Sequence, residues 1–240
     1  MKKVGLLILA VSFVSNLIFG YTVTAKTTFD DISNNYWAKD DIEYLSGKKI
    51  INGYTNGNFG PNDTIKRVDA ATMIVRALDI ETANRPNPNL KDVTKKSFGY
   101  NTIATVIDEG IFKGNSGYFY PDNTLTRAEM AAIINRAFPL EEKRANISFT
   151  DIDSKHWAYQ DIQALAANNI TTGYQDNSFK PNQTITRAEF SVFMARVLKN
   201  MNVVDELDQV KEDHEKDEEQ GNKDEESNEN SENFEVIGIN

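Results

Sequence analysis

Cysteine is absent from all 240 residues. That excludes disulfides, thiolate metal sites, a cysteine nucleophile and a lipid-modified cysteine, so any folded body must be held by its core alone. Histidine is almost as scarce. His156 and His214 are the whole supply, too few and too far apart for a multi-histidine metal site, and no HExxH pattern occurs. No serine sits in a nucleophile elbow. Asn/Asp-rich stretches such as Tyr174-Gln175-Asp176-Asn177 lack the acidic ligand that closes an EF-hand loop, and they read as turns. The chain is therefore expected to carry no catalytic residue, no metal and no cofactor.

A basic surplus is also lacking. The formal net charge is −10, and fifteen Asp/Glu against three Lys fall from Met201 onward. Residues 1–200 hold 21 acidic and 23 basic groups, so the body is close to neutral and the acidity belongs to the tail. A neutral body with an acidic tail argues against nucleic acid, whose binding depends on Lys/Arg contacts to phosphate. Long apolar runs are missing apart from one. Val4 to Phe19 follows the basic start Met1-Lys2-Lys3, and Val23-Thr24-Ala25 offers small residues for cleavage. Residues 1–25 are read as a secretory signal peptide, after whose removal no membrane contact is expected. The rival is an uncleaved anchor, since Val4 to Val23 is about long enough to span a bilayer.

What is present is a repeated phrase. Pro61, Pro121 and Pro181 are 60 residues apart, and Arg67, Arg127 and Arg187 keep the same step. A period of this size marks a supersecondary unit too small to bury its own apolar face. The boundaries expected are 26–84, 85–143 and 144–204, joined by polar, proline-bearing stretches, with an acidic and largely disordered tail over 205–240. The tail could serve an unknown partner.

Each unit is expected to hold two helices around a Gly/Asn-rich loop. Ala38, Ile42 and Leu45 share a helical face, as do Ala158, Ile162 and Leu165. Ala71, Ile74, Val75 and Leu78 form the second-helix face in one copy, and Phe190, Phe193, Met194 and Val197 in another. The second helix opens on Thr126-Arg127-Ala128-Glu129 and on Thr186-Arg187-Ala188-Glu189, both capping boxes. Lys66 and Asp69 replace Thr and Glu in the first copy, predicting a weaker cap.

Arg67, Arg127 and Arg187 stand in the first helical turn, where a cation opposes the helix dipole. Free helix-start amides beside a guanidinium fork would suit a carboxylate or phosphate. The competing reading is a salt bridge to an acid of a neighbouring repeat, such as Asp31, Asp92 or Asp151. Trp37 and Trp157 precede the first helix, with Phe98 in the second copy. Core filling is one role for them, with about half of each ring buried. Packing on a sugar face is the other. Gly53, Gly114 and Gly173 open the loops, either as helix caps with positive φ or to let a ligand approach the backbone.

These phrases resemble S-layer homology repeats: Phe29-Asp30-Asp31…Trp37-Ala38, Phe149-Thr150-Asp151…Trp157-Ala158, the Gly-Tyr…Phe-x-Pro loops and the two Thr-Arg-Ala-Glu helix starts. The resemblance spans nearly all of residues 29–198. It implies an all-α fold of three helix-loop-helix repeats in a pseudo-threefold arrangement around a central helical bundle, with grooves between neighbours. It further implies non-covalent anchoring to the wall of a Gram-positive-type bacterium. The partner implied is a secondary cell-wall polysaccharide whose terminal sugar bears a pyruvyl ketal, or a modified peptidoglycan. Carried over by position, the groove residues are Arg67, Arg127, Arg187, Trp37, Trp157, Gly53, Gly114 and Gly173, with Asp31 and Asp151 orienting them. Repeat two departs at Leu90-Lys91-Asp92 and Phe98-Gly99, and its loop is one residue shorter. The Arg127 and Arg187 grooves are accordingly expected to bind better than the Arg67 groove. An S-layer lattice protein and the anchoring piece of a surface enzyme are the alternative functions.

Overall fold

The structure is a computed structural model that describes residues 29–138, 140 and 147–201. The expected leader over 1–25, the acidic tail over 205–240 and most of the joint over 139–144 lie outside the described residues. The described part is helical: α1 (Lys39–Gly47), α2 (Arg67–Ala77), α3 (Tyr100–Asp108), α4 (Arg127–Ala137) and α5 (Tyr159–Ala167). A further helical stretch, α6, runs over residues 187–201. Pairing outside the helices is confined, among the described residues, to isolated β-bridges.

The apolar faces read from the sequence are buried. Ile42, Leu45, Ile74, Ile162, Leu165, Phe190 and Val197 are all fully enclosed, and Phe59, Phe119 and Phe179 fill the same position in the three loops. Each buried Phe contributes about 1.5–3 kcal/mol of transfer free energy. The first helix of each repeat stops on a left-handed residue: Lys49 (φ 60°), Gly110 (φ 69°) and Asn169 (φ 57°). Behind Lys49 the Ile50 amide reaches back to the Leu45 carbonyl at 3.0 Å, and behind Asn169 the Ile170 amide reaches Leu165 at 2.9 Å. These are Schellman ends, and they satisfy carbonyls the helix leaves unpaired. Gly53, Gly114 and Gly173 are therefore not the helix caps. Of the three only Gly173 holds the positive φ expected, at 72°, and all three are small for a further reason. A Cβ on Gly53 would lie 2.5 Å from the Phe29 ring, on Gly114 2.9 Å from the Tyr118 carbonyl, and on Gly173 2.5 Å from the Phe149 ring.

The repeats close on one another through backbone bonds. The Ile65 amide donates to the Ile185 carbonyl at 3.1 Å, Ile185 to Leu125 at 2.9 Å, and Leu125 to Ile65 at 3.3 Å. Three bonds thus link the copies in a cycle. Each second helix then plants its first amides on the next copy. Arg67 and Val68 donate to the carbonyls of Asn123 and Pro121, Arg127 and Ala128 to Gln183 and Pro181, and Arg187 and Ala188 to Asp63 and Pro61.

Second helices also pack on the first helix of the following copy, α2 on α3 and α4 on α5. Asn135 of α4 donates to Asp161 of α5 at 2.8 Å. Lys199 of α6 pairs with Asp41 of α1 at 2.6 Å, joining the last copy to the first. At the α2–α3 contact Gly99 comes so close that a Cβ would lie 2.6 Å from the Val68 side chain. The equivalent positions are Ala128 with Ala158 and Ala188 with Ala38. A larger residue on one side is matched by a smaller one on the other.

Candidate functional site: the junctions between repeats

Both capping boxes form at the helix starts. The Thr126 hydroxyl accepts from the Glu129 amide at 3.2 Å while Glu129 accepts from the Thr126 amide at 2.8 Å. Thr186 and Glu189 repeat the exchange at 3.2 and 2.9 Å. Lys66 gives α2 no side-chain cap, as its chemistry predicts, and its ammonium reaches Asp122 of the next copy at 2.8 Å instead.

The arginines inside these starts are buried: Arg67 and Arg187 are 9% exposed and Arg127 4%. Their guanidinium groups hold backbone carbonyls of the neighbouring copy. Arg67 Nε donates to Phe119 O at 2.8 Å and Nη2 to Lys113 O at 3.2 Å. Arg187 does the same to Phe59 O and Asn52 O at 3.0 and 3.1 Å. Arg127 Nε donates to Phe179 O at 2.7 Å. Aromatic faces enclose each cation: Phe112 and Phe119 about Arg67, Tyr54 and Phe59 about Arg187, and Tyr174, Phe179 and Phe193 about Arg127. Burial lowers the pKa of Arg67 and of Arg127 from the ordinary value. Glu129 opposes this at Arg67, and Tyr174 with Glu189 at Arg127. A guanidinium stays protonated through such a shift.

The sequence expectation of free helix-start amides is overturned, because those amides are bonded to the carbonyls named above. The alternative of a bridge to an acid of a neighbouring copy holds at two junctions, though with Glu129 and Glu189, each 3.6 Å from Nη1 of Arg67 or Arg127, rather than with Asp31, Asp92 or Asp151. Asp31 accepts the amides of Phe59 and Gly60 at 2.7 and 2.8 Å, Asp92 those of Phe119 and Tyr120, and Asp151 those of Phe179 and Lys180. Each aspartate therefore fixes the peptide whose carbonyl the arginine grips. It orients the arginine through that peptide rather than by an ion pair.

Two cavities open at these junctions. One, of about 460 Å³, draws Arg67 from the first copy, Lys113, Glu129 and Arg136 from the second, and Trp157 from the third. The other, of about 290 Å³, draws Arg187 from the third copy, Gly53, Asp69, Met73 and Arg76 from the first, and Phe98 from the second. Every cavity is thus shared by all three repeats. Trp37, Trp157 and Phe98 are 61, 60 and 84% exposed, more open than the half-burial the sequence suggested. Trp157 is stacked beside His156, with ring centroids 5.8 Å apart. Trp37 stands beside Tyr36, whose phenol is raised by burial and, in smaller measure, by the charge of Glu189 at the third junction.

Arg76 and Arg136 escaped the sequence reading. Both are exposed, and each makes a long 3.4 Å bond to a carbonyl of its own copy, Ile50 or Ile111, with the Asn52 amide oxygen a further acceptor for Arg76 at 3.3 Å. Their signal was available: Arg76, Arg136 and Arg196 follow the same 60-residue step as the capping arginines. A cavity wall bearing a hydrated guanidinium beside an exposed indole or phenyl ring can take a carboxylate on one side and a sugar face on the other.

Three helical copies joined in a cycle, with cationic, aromatic-rimmed cavities at the joints, define a repeat-built module whose sites exist only between repeats. The S-layer homology domain model matches residues 28–71, 89–131 and 148–191, and the chain belongs to that family. Similar proteins include the Surface-layer 125 kDa protein of Lysinibacillus sphaericus, 35% identical over 76% of this chain and 16% of that protein. An amylopullulanase of Thermoanaerobacterium thermosulfurigenes is 33% identical over 72% and 10%, and an uncharacterized cell wall amidase of Bacillus anthracis 31% over 77% and 35%. The chain spans only about a tenth to a third of the length of these relatives. Domains of this family hold surface-layer proteins and surface enzymes at the cell wall, and the chain is a secreted protein of the cell surface.

Proposed function

We propose that the chain anchors to the wall by binding an acidic wall glycan, a secondary polysaccharide with a ketal-pyruvate carboxylate at its terminal sugar, in the cavities between repeats. Arg136 and Arg76 take the carboxylate. Trp157 and Phe98 cover the sugar. Arg67 and Arg187 act behind them, locking one repeat's loop to the next so that the wall of each cavity keeps its shape. The observation that carries this reading is the convergence, in each cavity, of an exposed guanidinium from one copy and an exposed aromatic ring from the next. A charge-assisted hydrogen bond contributes about 1.5–3 kcal/mol. Two engaged cavities would add avidity through raised effective concentration on a polymeric wall. That the similar proteins include surface-layer proteins, an amylopullulanase and a cell wall amidase supports a retention role independent of what is retained.

The test is sedimentation of the full chain with purified walls. Arg76→Ala with Arg136→Ala should reduce retention at least about tenfold, equivalent to 1.4 kcal/mol. The melting temperature should stay close to that of the parent, since both side chains are exposed. Walls stripped of ketal pyruvate should bind equally poorly. Unchanged retention by the double variant would overturn the proposal, and undiminished binding to stripped walls would point to peptidoglycan.

A further inference from the structure

The third junction differs from the other two. Tyr174 lies over Arg127, with the guanidinium carbon 4.7 Å from the ring centroid, and its hydroxyl donates to Glu189 Oε1 at 3.2 Å. The same oxygen is 3.6 Å from Arg127 Nη1. The Lys180 ammonium lies over the same ring, 4.0 Å from its centroid. Beneath, Phe193 stands where the open junctions have Met73 and Ile133. The chain thus brings to Arg127 the two groups a ligand would bring, a carboxylate and a ring.

Neither cavity is latched in this way. At the Arg67 junction the position of Tyr174 is held by Asn115, which is exposed. Glu129 there lies as close to Arg67 Nη1, 3.6 Å, as Glu189 does to Arg127, but it holds no phenol and keeps 38% of its side chain exposed, against 19% for Glu189. At the Arg187 junction Tyr54 is present but its hydroxyl donates to Asp63 at 2.9 Å, and the residue is 46% exposed. Asp69, one methylene shorter than Glu189, takes the place of the latching acid.

We infer that the module is divalent: the Arg67 and Arg187 junctions take acidic glycan, and the Arg127 junction is shut by Tyr174 latched to Glu189. This rests on the reading of the junctions as glycan sites. It reverses the order expected from the sequence, in which the Arg127 groove ranked above the Arg67 groove. Tyr174 is the reason, since Glu129 belongs to an equally intact capping box at the open Arg67 junction but finds Asn115 there and no phenol to hold. Glu189, long enough to cap α6, is also long enough to hold the tyrosine down.

Site-resolved footprinting with phenylglyoxal tests this on the full chain, because each junction has its own exposed reporter, Arg76, Arg136 or Arg196. The probe is methyl 4,6-O-(1-carboxyethylidene)-hexopyranoside. At ten times its dissociation constant, modification of Arg76 and Arg136 should slow about tenfold while Arg196 reacts as before. In Tyr174→Asn, which installs the residue of the open second-copy loop, Arg196 should become protected as well. Glu189→Asp provides a second way to release the latch without removing the ring, and should act in the same direction. Equal protection of all three arginines in the parent chain overturns the closed third junction and leaves the glycan reading standing. Protection of none removes that reading, and the inference with it.

Discussion

At the start of α4 the Thr126 hydroxyl and the Glu129 carboxylate satisfy two backbone amides locally, whereas at the start of α2 Lys66 offers no acceptor and no side-chain cap exists. Both helices nevertheless begin at the same point in the repeat and seat Arg67 or Arg127 in the same setting. What they share is outside themselves: two carbonyls of the next copy that take the first helical amides, and a third that takes Nε of the arginine. A hydroxyl cap is worth about 0.5–2 kcal/mol. Three inter-repeat bonds, at about 0.5–1.5 kcal/mol each, with aromatic enclosure besides, outweigh it. The helix start is set by docking, and local capping refines it.

The largest effect should come from attacking the docking itself. Arg127→Ala and Arg67→Ala should each cost about 2–4 kcal/mol in urea unfolding, since each strips a buried carbonyl of its donor. If the capping box carried α4, Arg127→Ala would be clearly milder than Arg67→Ala, and that inequality would break the comparison. Next comes the contact where α2 meets α3. Gly99 holds φ 72° and faces Val68 at a distance no Cβ tolerates, so Gly99→Ala should cost about 1–3 kcal/mol. Combined with Val68→Ala it should be less damaging than the sum of the two single changes by about 1 kcal/mol, measured as a double-mutant cycle. Smaller again is the cap. Thr126→Ala should cost about 1 kcal/mol, and Lys66→Thr with Asp69→Glu should recover up to about that much in α2. Loss of the exposed Lys66–Asp122 pair subtracts little from that gain.

The smallest effect is in the pH profile. Burial raises the Tyr174 phenol above its ordinary value, against the opposing charge of Arg127. Its folded pKa lies above the unfolded one, so its contribution is whole below about pH 10 and is lost as pH climbs through the folded value. Absorbance at 295 nm should show Tyr174 ionising late together with Tyr36 and Tyr54, which burial also raises, and Tyr174→Phe should shrink that late step.

Much of the fold was legible because its signals are local. Ile42 with Leu45, and Phe190 with Val197, announce helix faces by spacing, and Thr-x-x-Glu announces a helix start by chemistry. The role of Arg67, Arg127 and Arg187 was not legible. The sequence shows a cation where the dipole disfavours one, but not that Phe119, Phe179 and Phe59 turn their carbonyls toward it from another copy. Asp31 looked like an ion-pair partner for the same reason, since its true partners are amides 28 and 29 residues away. Gly53 and Gly173 looked like caps because glycine ends helices so often, yet here the Phe29 and Phe149 rings demand the missing side chain. Arg76 and Arg136 could have been found by following the 60-residue step past the helix starts. Their presence in the cavities could not, because it depends on how neighbouring copies meet.

The three bonds among Ile65, Leu125 and Ile185 have a consequence for how the protein comes apart. An open array of repeats has end members and can fray from them inward, whereas a cycle of three offers no place for unravelling to begin. Deleting any one copy leaves the remaining pair with two raw faces and neither complete cavity. Loss of structure and loss of grip on the wall should therefore arrive together, in a single cooperative step.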